Sequence, residues 1–232
     1  MYDFKEGEVI LVDKPLKWTS FDVVNRLRWR LRKSYDVKKF KVGHAGTLDP
    51  LATGLLIICT GKKTKKSELY MSQQKTYTGT FLLGKTTPSY DLETLYDAEF
   101  PTDQITLEQL DTVATSFIGE QLQTPPIFSA KKIDGKRAYE SARAGKEIEM
   151  KQNSITIHSF EVDGSRFPEV DFKITCSKGT YIRSIAFDFG QKLGSGATLI
   201  ALRRTQSGNF SIDDAKSVEE WLAIIENISI NK

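Results

Sequence analysis

The sequence predicts an α+β fold, in which a mixed, mainly antiparallel β-sheet is flanked by helices. Short apolar or alternating runs, typical of strands, dominate the chain, and amphipathic runs with helical spacing interrupt them irregularly. Such irregular alternation argues against a regular βαβ array. With 232 residues, of which 39% are hydrophobic and 27% charged, the chain can bury a sizeable core, and we expect one domain over residues 1–232.

The first quarter of the chain predicts a strand, a helix and a second strand. Residues 9–12 form a short apolar run, which a turn follows. Thr19 and Asp22 have the spacing of a capping box, and valines and leucines then recur at helical spacing with arginines between them. We therefore expect a helix over residues 20–33 and, further along, a buried strand over residues 55–59.

The rest of the chain alternates between strand and helix signals. Period-two alternation predicts strands near residues 75–83, 154–162, 169–176, 199–203 and 209–212. Helical spacing predicts helices that begin after Thr106, at residue 180 and after Ser217. Gly119 is expected to end the first of these helices, and Asp163 with Gly164 indicates a turn between two of the strands.

Basic residues gather in three clusters, although the net charge of the chain is only +3. The clusters lie at residues 26–41, 62–66 and 131–146, whereas acidic residues gather at residues 91–111 and 213–226. Segregated positive charge favours a polyanionic partner such as nucleic acid. Solvated helix and loop faces would give the same pattern, so charge alone leaves both interpretations open.

Several protein classes are excluded by simple features of the sequence. No apolar run approaches the roughly 20 residues of a membrane span, and the first residues lack the basic start and apolar core of a signal peptide. Cys59 and Cys176 lie in strand-like runs, so we expect buried free thiols rather than a disulfide or a metal pair. We therefore expect a cytoplasmic protein without a membrane partner.

The most unusual stretch of the chain is GHAGTLDPLATGLL, residues 43–56. Its glycines permit positive φ angles and the close approach of another backbone or a ligand. Pro50 fixes its own φ and pushes Asp49 toward an extended conformation. We expect a rigid, irregular loop that displays the Asp49 carboxylate and leads into a buried strand. An Asp before Pro is also a common turn residue, so spacing alone does not assign it a catalytic role.

Other common chemistries lack the residues that they need. Gly61 and Lys62 do not belong to a phosphate-binding loop, because that motif requires Gly at position 56 and Ser or Thr at position 63. His44 and His158 are far apart in the sequence, and no metal-ligand spacing or nucleophile elbow is present. We therefore expect no metal site.

A second candidate stretch is KGTYIRS, residues 178–184, at a predicted junction between a strand and a helix. It carries an aromatic residue and an arginine two positions apart. Arg183 could pair with Asp49 and keep that carboxylate ionised. Read by itself, the stretch is more simply explained as the start of a surface helix.

Five stretches, in chain order, together resemble one known family. They are residues 43–56; DKP with TS, at residues 13–15 and 19–20; KTY leading to Gly84; QTPP through SAK to Tyr139 and ARAG, at residues 123–145; and GTYIR with LRR, at residues 179–183 and 202–204. These stretches resemble the bacterial tRNA pseudouridine-55 synthases of the TruB type, over roughly residues 8–215. The resemblance implies a pseudouridine-synthase-like fold with a catalytic cleft.

The resemblance implies the isomerisation of a uridine in the T-loop of tRNA, without redox change, metal or cofactor. The target base is flipped out of its loop, because a stacked base cannot be reached. Asp49 is expected to act as the nucleophile and form a covalent intermediate, through attack on either C1′ of the ribose or C6 of the base. Arg183 is expected to pair with Asp49, and Tyr77 to stack on the uracil and act as the base at C5.

The remaining family positions are expected to bind the substrate, and they are His44, Tyr181, Leu202, Lys14, Arg204 and Asp91. Tyr181 and Leu202 should line the uracil pocket, and His44 should help to hold the flipped nucleotide. Lys14 and Arg204 should support the cleft electrostatically. The acidic position occupied by Asp91 is expected to contact RNA.

Residues 124–152 resemble the family's RNA-clamping thumb, with a short helix expected at residues 139–144. Longer family members continue into a PUA-type RNA-binding domain, whereas only enough residues for one helix follow Ala215 here. We therefore expect a minimal catalytic domain that acts as a monomer on tRNA without a guide RNA.

Two alternatives remain beside this enzyme. The first is a non-catalytic RNA-binding or tRNA-folding protein that uses the same clamp, and the intact set of Asp49, Tyr77 and Arg183 argues against it. The second is the guide-RNA-dependent dyskerin branch of the same enzymes. Guide-dependent assembly relies on the C-terminal domain in that branch, which argues against this alternative.

Overall fold

The α+β prediction is confirmed by the computed structural model, which describes residues 2–129, 132–133, 136–137 and 150–230. The chain divides into two compact units. Unit 1 comprises Met1–Tyr77 and Leu202–Lys232, and unit 2 comprises Thr78–Ala201. The expectation of one catalytic domain over residues 1–232 stays a prediction.

The described strands and helices follow one another in a mixed order. The strands are β1 (Val9–Lys14), β2 (Val42–His44), β3 (Ala52–Thr60), β4 (Lys75–Leu83), β5 (Lys85–Thr86), β6 (Ala98–Glu99), β7 (Gly119–Gln123), β8 (Lys132–Ile133), β9 (Lys136–Arg137), β10 (Asn153–Arg166), β11 (Glu169–Cys176), β12 (Ala197–Ser207) and β13 (Phe210–Ser211). The α-helices are α1 (Ser20–Ser34), α2 (Ser67–Met71), α3 (Leu107–Thr115), α4 (Ile182–Lys192) and α5 (Val218–Ile230). Short 3-10 helices cover Gly61–Lys66 and Ile212–Asp214.

Strand β3 is the centre of the sheet in unit 1. It pairs antiparallel with β1 and β2, and parallel with β12, where Leu202 lies opposite Ala52 and Arg204 opposite Gly54. Residues 55–59 of β3 are fully buried, as is typical of a strand that is covered on both faces. The loop between β2 and β3 therefore begins and ends on well-anchored strands.

Helix α1 begins where the sequence predicts. The Thr19 side chain accepts a hydrogen bond from the Asp22 backbone N–H, and the Asp22 carboxylate accepts one from the Thr19 backbone N–H. This reciprocal capping satisfies two of the N–H groups that a helix start leaves unpaired. The buried face of α1 comprises Ser20, Val23, Val24, Leu27 and Leu31, and α1 packs against α5. Burial of each large apolar side chain contributes about 1.5–3 kcal/mol, so the first turn of α1 is firmly placed.

In unit 2 the strand order is β4–β11–β10–β7. Aromatic side chains pack helix α4 onto this sheet. Phe81 stacks on Phe172 with ring centroids 4.2 Å apart, and Phe189 of α4 lies 5.6 Å from both Phe81 and Phe160. Aromatic pairs at these separations add to area burial. The helix that carries Arg183 is therefore held by a dense aromatic core.

The turn expected at Asp163 and Gly164 is in the wrong place. Strand β10 continues through both residues to Arg166, and the turn lies at Phe167 and Pro168. The glycine has another reason to be there, because a Cβ on Gly164 would lie 2.6 Å and 2.7 Å from side-chain atoms of two leucines in α3, Leu107 and Leu110. Gly164 thus allows a helix to pack closely over the strand.

Some elements carry no clear signal in the sequence. The 3-10 helix Gly61–Lys66, helix α2 and strand β7 were not predicted, and Gly119 begins β7 rather than only ending a helix. The thumb-like segment, with its expected helix at residues 139–144, lies mostly outside the described residues. Cys59 and Cys176 are buried free thiols, as predicted. Within the described part of the chain, no helix has the length and apolar character needed to cross a membrane.

Candidate active site

The loop at residues 45–51, here called the Asp49 loop, is held by its backbone on one side of Asp49. Ser20, the nearly fully buried first residue of α1, donates from Oγ to the Leu48 carbonyl (3.1 Å) and accepts from the Leu48 N–H (2.8 Å). The side chain of Leu48 is itself buried. The residue that precedes Asp49 is therefore tied at both backbone polar groups to the start of a well-placed helix.

On the other side of Asp49 the loop meets a buried lysine. Lys14 is fully buried at the end of β1, and its Nζ donates to the carbonyls of Trp18 (2.6 Å) and Pro50 (3.5 Å). Burial lowers the pKa of Lys14 to about 8, the Asp49 carboxylate opposes this shift, and the Arg204 guanidinium adds to it. Lys14 is thus charged at neutral pH and contributes positive potential beside Asp49.

A buried arginine ties the start of the loop to strand β3. Arg204 of β12 is only 1% exposed, and it donates from Nε to the Leu55 carbonyl (2.7 Å) and from a terminal nitrogen to the Gly46 carbonyl (3.1 Å). Gly46 has a φ of +103°, which side chains rarely adopt. At Gly54 a Cβ would lie 2.3 Å from the Arg204 carbonyl oxygen. The two glycines therefore serve a backbone conformation and the close approach of β12.

His44 lies at the end of β2, immediately before the Asp49 loop, and is half-buried. Burial lowers the pKa of His44, and the Arg204 guanidinium lowers it further. The imidazole is therefore neutral at neutral pH. Its Nδ1 is buried and makes no hydrogen bond with any residue that the structure describes. A buried polar atom without a partner is uncommon and costly. Because this nitrogen is not accessible from outside, a bound molecule would contact the rest of the imidazole ring.

Tyr77 and Leu202 occupy the adjoining strands of unit 1. Tyr77 is buried near the start of β4, beside the end of β12, where Thr205 Oγ1 donates to the Thr76 carbonyl at 3.3 Å. Leu202 is half-buried, and its carbonyl accepts from Thr53 Oγ1 at 3.4 Å. Both side chains are mounted on paired strands, which position a group more firmly than a mobile loop does.

Arg183 and Asp91 form a buried ion pair within unit 2. Arg183 lies in the first turn of α4, and its Nε is 3.6 Å from Asp91 Oδ2. A terminal nitrogen of Arg183 also donates to the carbonyls of Phe128 (2.8 Å) and Ser89 (3.3 Å). Asp91 is 5% exposed, and its Oδ1 accepts from the Glu93 N–H at 2.9 Å. The planar guanidinium is therefore oriented before any substrate binds.

A buried glutamine positions the segment that precedes α4. Gln123, 2% exposed at the end of β7, accepts from the Tyr181 N–H through Oε1 (2.8 Å) and donates from Nε2 to the Tyr181 carbonyl (3.1 Å). The residue after Gln123 is held as well, because Ser184 Oγ of α4 donates to the Thr124 carbonyl (2.8 Å). These bonds place Tyr181 at the N-cap of α4, two residues before Arg183.

The structure distributes the predicted site residues over the two units. Unit 1 brings Lys14, His44, Asp49 and Arg204 together around one loop and carries Tyr77 and Leu202 on neighbouring strands. Unit 2 brings Asp91 and Arg183 together and carries Tyr181. The pairing of Asp49 with Arg183 and the RNA contact of Asp91 stay predictions.

Two positioning residues were missed by reasoning from the sequence, Ser20 and Gln123. Both belong to stretches that carry the family resemblance, but no local spacing signals their hydrogen bonds to Leu48 and Tyr181. Among the described residues, no three His, Cys, Asp or Glu side chains are arranged so that they could hold a metal ion. The unit 1 residues can instead present one carboxylate, in a fixed orientation, next to buried positive charge.

Comparison with solved structures first defines the class of fold. A Cbf5–Nop10–Gar1 complex matches with a TM-score of 0.70 at 24% identity, covering 97% of this chain and 60% of that chain. An archaeal box H/ACA sRNP Nop10–Cbf5 complex matches with a TM-score of 0.69 at 22% identity, covering 97% and 58%. The chain thus spans about 60% of the length of these structures and shares the pseudouridine-synthase fold.

Comparison of sequences then defines the family. The model of the TruB family pseudouridylate synthase N-terminal domain matches residues 32–182, and that of the tRNA pseudouridylate synthase B C-terminal domain matches residues 183–227. A tRNA pseudouridine synthase B from Flavobacterium johnsoniae is 55% identical over 92% of this chain and 93% of its own length. One from Phocaeicola vulgatus is 52% identical over 95% of each. The chain belongs to the TruB family of pseudouridylate synthases.

Proposed function

We propose that this protein converts the uridine at position 55, in the T-loop of tRNA, into pseudouridine, with Asp49 as the nucleophile. The observation that carries the proposal is the immobilised Asp49 loop, in which Ser20, Lys14 and Arg204 hold the backbone on both sides of one carboxylate. The names of the relatives from Flavobacterium johnsoniae and Phocaeicola vulgatus support tRNA as the substrate.

The reaction is an isomerisation whose atoms and electrons balance within one nucleotide. The bond between N1 and C1′ breaks, the uracil rotates, and a bond forms between C5 and C1′. The proton on C5 leaves, and N1 gains one. Attack by Asp49 on C1′ or on C6 leads to the same product, and either needs a carboxylate held within bonding distance of one atom. Such fixed placement is a large part of what an enzyme contributes to a rate.

The other residues have roles that suit their surroundings. Tyr77 is proposed to stack on the uracil and to remove the C5 proton, and Tyr181 and Leu202 are proposed to line the uracil pocket. His44, whose pKa is lowered by burial and by Arg204, is proposed to help hold the flipped nucleotide. Arg183 is proposed to pair with the Asp49 carboxylate. The ion pair with Asp91 restricts the Arg183 guanidinium within unit 2.

The proposal is tested by replacing Asp49 with its neutral isostere. We expect Asp49→Asn to abolish pseudouridine formation on an unmodified tRNA transcript, mapped by carbodiimide treatment and primer extension, while tRNA binding persists. Asp214→Asn, which changes an exposed carboxylate of unit 1 in the same way, is the matched control and should remain active. Turnover by Asp49→Asn would refute the nucleophile assignment.

The same assay distinguishes the alternatives. Modification of the transcript by the wild-type protein alone would exclude a need for guide RNA. Modification at a position other than 55 would refute the target. Tight tRNA binding without any modification by the wild-type protein would favour a non-catalytic tRNA-binding or tRNA-folding role. Action as a monomer in the cytoplasm stays a prediction.

A further inference from the structure

A strongly basic groove runs along unit 1 outside the candidate site. It consists of two adjoining depressions of about 720 Å³ and about 420 Å³, which share Lys39, Phe40 and Lys41. Each is lined by five lysine or arginine side chains, two of them shared, so eight basic side chains line the groove. No acidic side chain lines either depression in the part of the chain that the structure describes.

The positive charge of this groove is largely uncompensated. Lys62 pairs with Glu6 at 2.7 Å. Arg32, Lys38, Lys39 and Lys41 are exposed, and none of them forms an ion pair with a residue that the structure describes. Arg28 donates to neutral groups only, the Asn25 side chain and the Val42 carbonyl, both at 2.9 Å. Unpaired like charges that share a concave surface repel one another. Their concentration at one place therefore favours an anionic partner over a role in folding.

The groove leads toward the candidate site along β2. Gly43, at its inner end, is the residue before His44, and a Cβ at Gly43 would meet no atom within 4 Å. Lys41 and His44 are three residues apart, which corresponds to about 10 Å along a strand. A polyanion that lies in the groove is therefore about 10 Å from the backbone of His44.

The lining indicates which kind of nucleic acid fits. Proteins that bind single strands provide several aromatic side chains for base stacking, whereas this groove offers only Phe40 between its cations. Lysine and arginine side chains without stacking partners suit phosphate oxygens of a helical backbone, which position an RNA without reading its sequence. We propose that this groove binds the phosphate backbone of the double-stranded stem adjoining the target loop of tRNA. This inference rests on the proposed function for the identity of its ligand.

The test removes two charges from the groove and, separately, two from elsewhere. The groove variant, Lys38→Gln/Lys39→Gln, replaces two exposed lysines of the groove. The control variant, Lys173→Gln/Lys192→Gln, replaces two exposed lysines of unit 2 and lowers the net charge by the same amount. For the groove variant we expect the Kd for a T-arm stem–loop to rise about tenfold or more at 150 mM salt. The slope of log K against log salt should fall by about 2, since each phosphate contact contributes about 0.9. The kcat at saturating tRNA should stay within twofold of the wild-type value.

A third arm separates stem from loop. A single-stranded oligonucleotide with the loop sequence should bind both double variants about equally. If the groove variant lost as much affinity for that oligonucleotide as for the stem–loop, the assignment to the stem would be refuted. If the groove variant bound the stem–loop as tightly as the control variant does, the proposed binding role of the groove would be refuted. Because these readouts are binding constants, they remain informative if the wild-type protein fails to modify tRNA, an outcome that would refute only the proposed function.

Discussion

The hydroxyl group of Ser20 is predicted to stabilise the Asp49 loop, because it bonds both backbone polar groups of Leu48. Its replacement in Ser20→Ala removes the donor to the Leu48 carbonyl and the acceptor for the Leu48 N–H, at 3.1 Å and 2.8 Å. Both backbone groups lie beside buried side chains, where water cannot readily replace the lost partner.

The expected loss of stability follows from these two groups. A buried polar group left without a partner costs about 1–3 kcal/mol, and the better helix propensity of alanine offsets up to about 0.5 kcal/mol. For two such groups we therefore expect Ser20→Ala to lower the free energy of unfolding by at least about 1.5 kcal/mol. In a chain of this size that corresponds to a decrease in Tm of at least about 3 °C.

Helix α1 supplies a matched control in Ser34, its last residue. The Ser34 hydroxyl is also buried, but it makes no hydrogen bond with any residue that the structure describes. Ser34→Ala should therefore change the free energy of unfolding by less than about 0.5 kcal/mol. Urea denaturation of both variants and the wild-type protein measures the difference. Equal stability of Ser20→Ala and Ser34→Ala would refute the reasoning.

The same pair of variants tests whether the hydrogen bonds between Ser20 and Leu48 also fix the position of the Asp49 carboxylate. A displacement of about 1 Å at a reacting group can reduce a rate a hundredfold. We expect Ser20→Ala to reduce kcat at least tenfold at a temperature where it is fully folded, with KM for tRNA within twofold of the wild-type value. Ser34→Ala should keep both constants, and an unchanged kcat in folded Ser20→Ala would limit the role of Ser20 to stability.

Two further predictions concern the other positioning groups. Gln123→Leu should reduce kcat at least tenfold because Tyr181 loses both backbone hydrogen bonds. Gln121 lies in the same strand but bonds a carbonyl outside α4, so the kcat of Gln121→Leu should stay within threefold of the wild-type value. Equal kcat values for the two variants would contradict the role of Gln123. For Lys14, the folded-state pKa of about 8 lies below the ordinary lysine value of 10.5. The unfolded chain therefore binds more protons between these values, and stability rises with pH there. Relative to Lys14→Met, the wild-type protein should gain about 2 kcal/mol in free energy of unfolding between pH 7 and pH 9.5, and a difference in urea-derived stability that does not change with pH would refute the buried charge.

Local sequence was sufficient for the elements whose signals lie within a few residues. The capping pair Thr19 and Asp22 predicts the start of α1, because both partners lie within one helical turn. Strand β4 has the bounds that its alternation predicts. The turn near Gly164 was misplaced because glycine signals both a turn and a close approach, and only the position of α3 distinguishes the two.

For the candidate site, too, the local sequence identifies some features and the tertiary structure decides others. The motif at residues 43–56 identifies the Asp49 loop and, with four other stretches, the family, because residue types and spacing are properties of the sequence itself. The partners that hold the loop are separated by 28 residues for Ser20 and Leu48, and by 158 for Arg204 and Gly46. Contacts at such separations follow from strand register and helix packing, which local propensity does not encode. The sequence by itself therefore determined which carboxylate is presented, and only the tertiary structure decided what holds it in place.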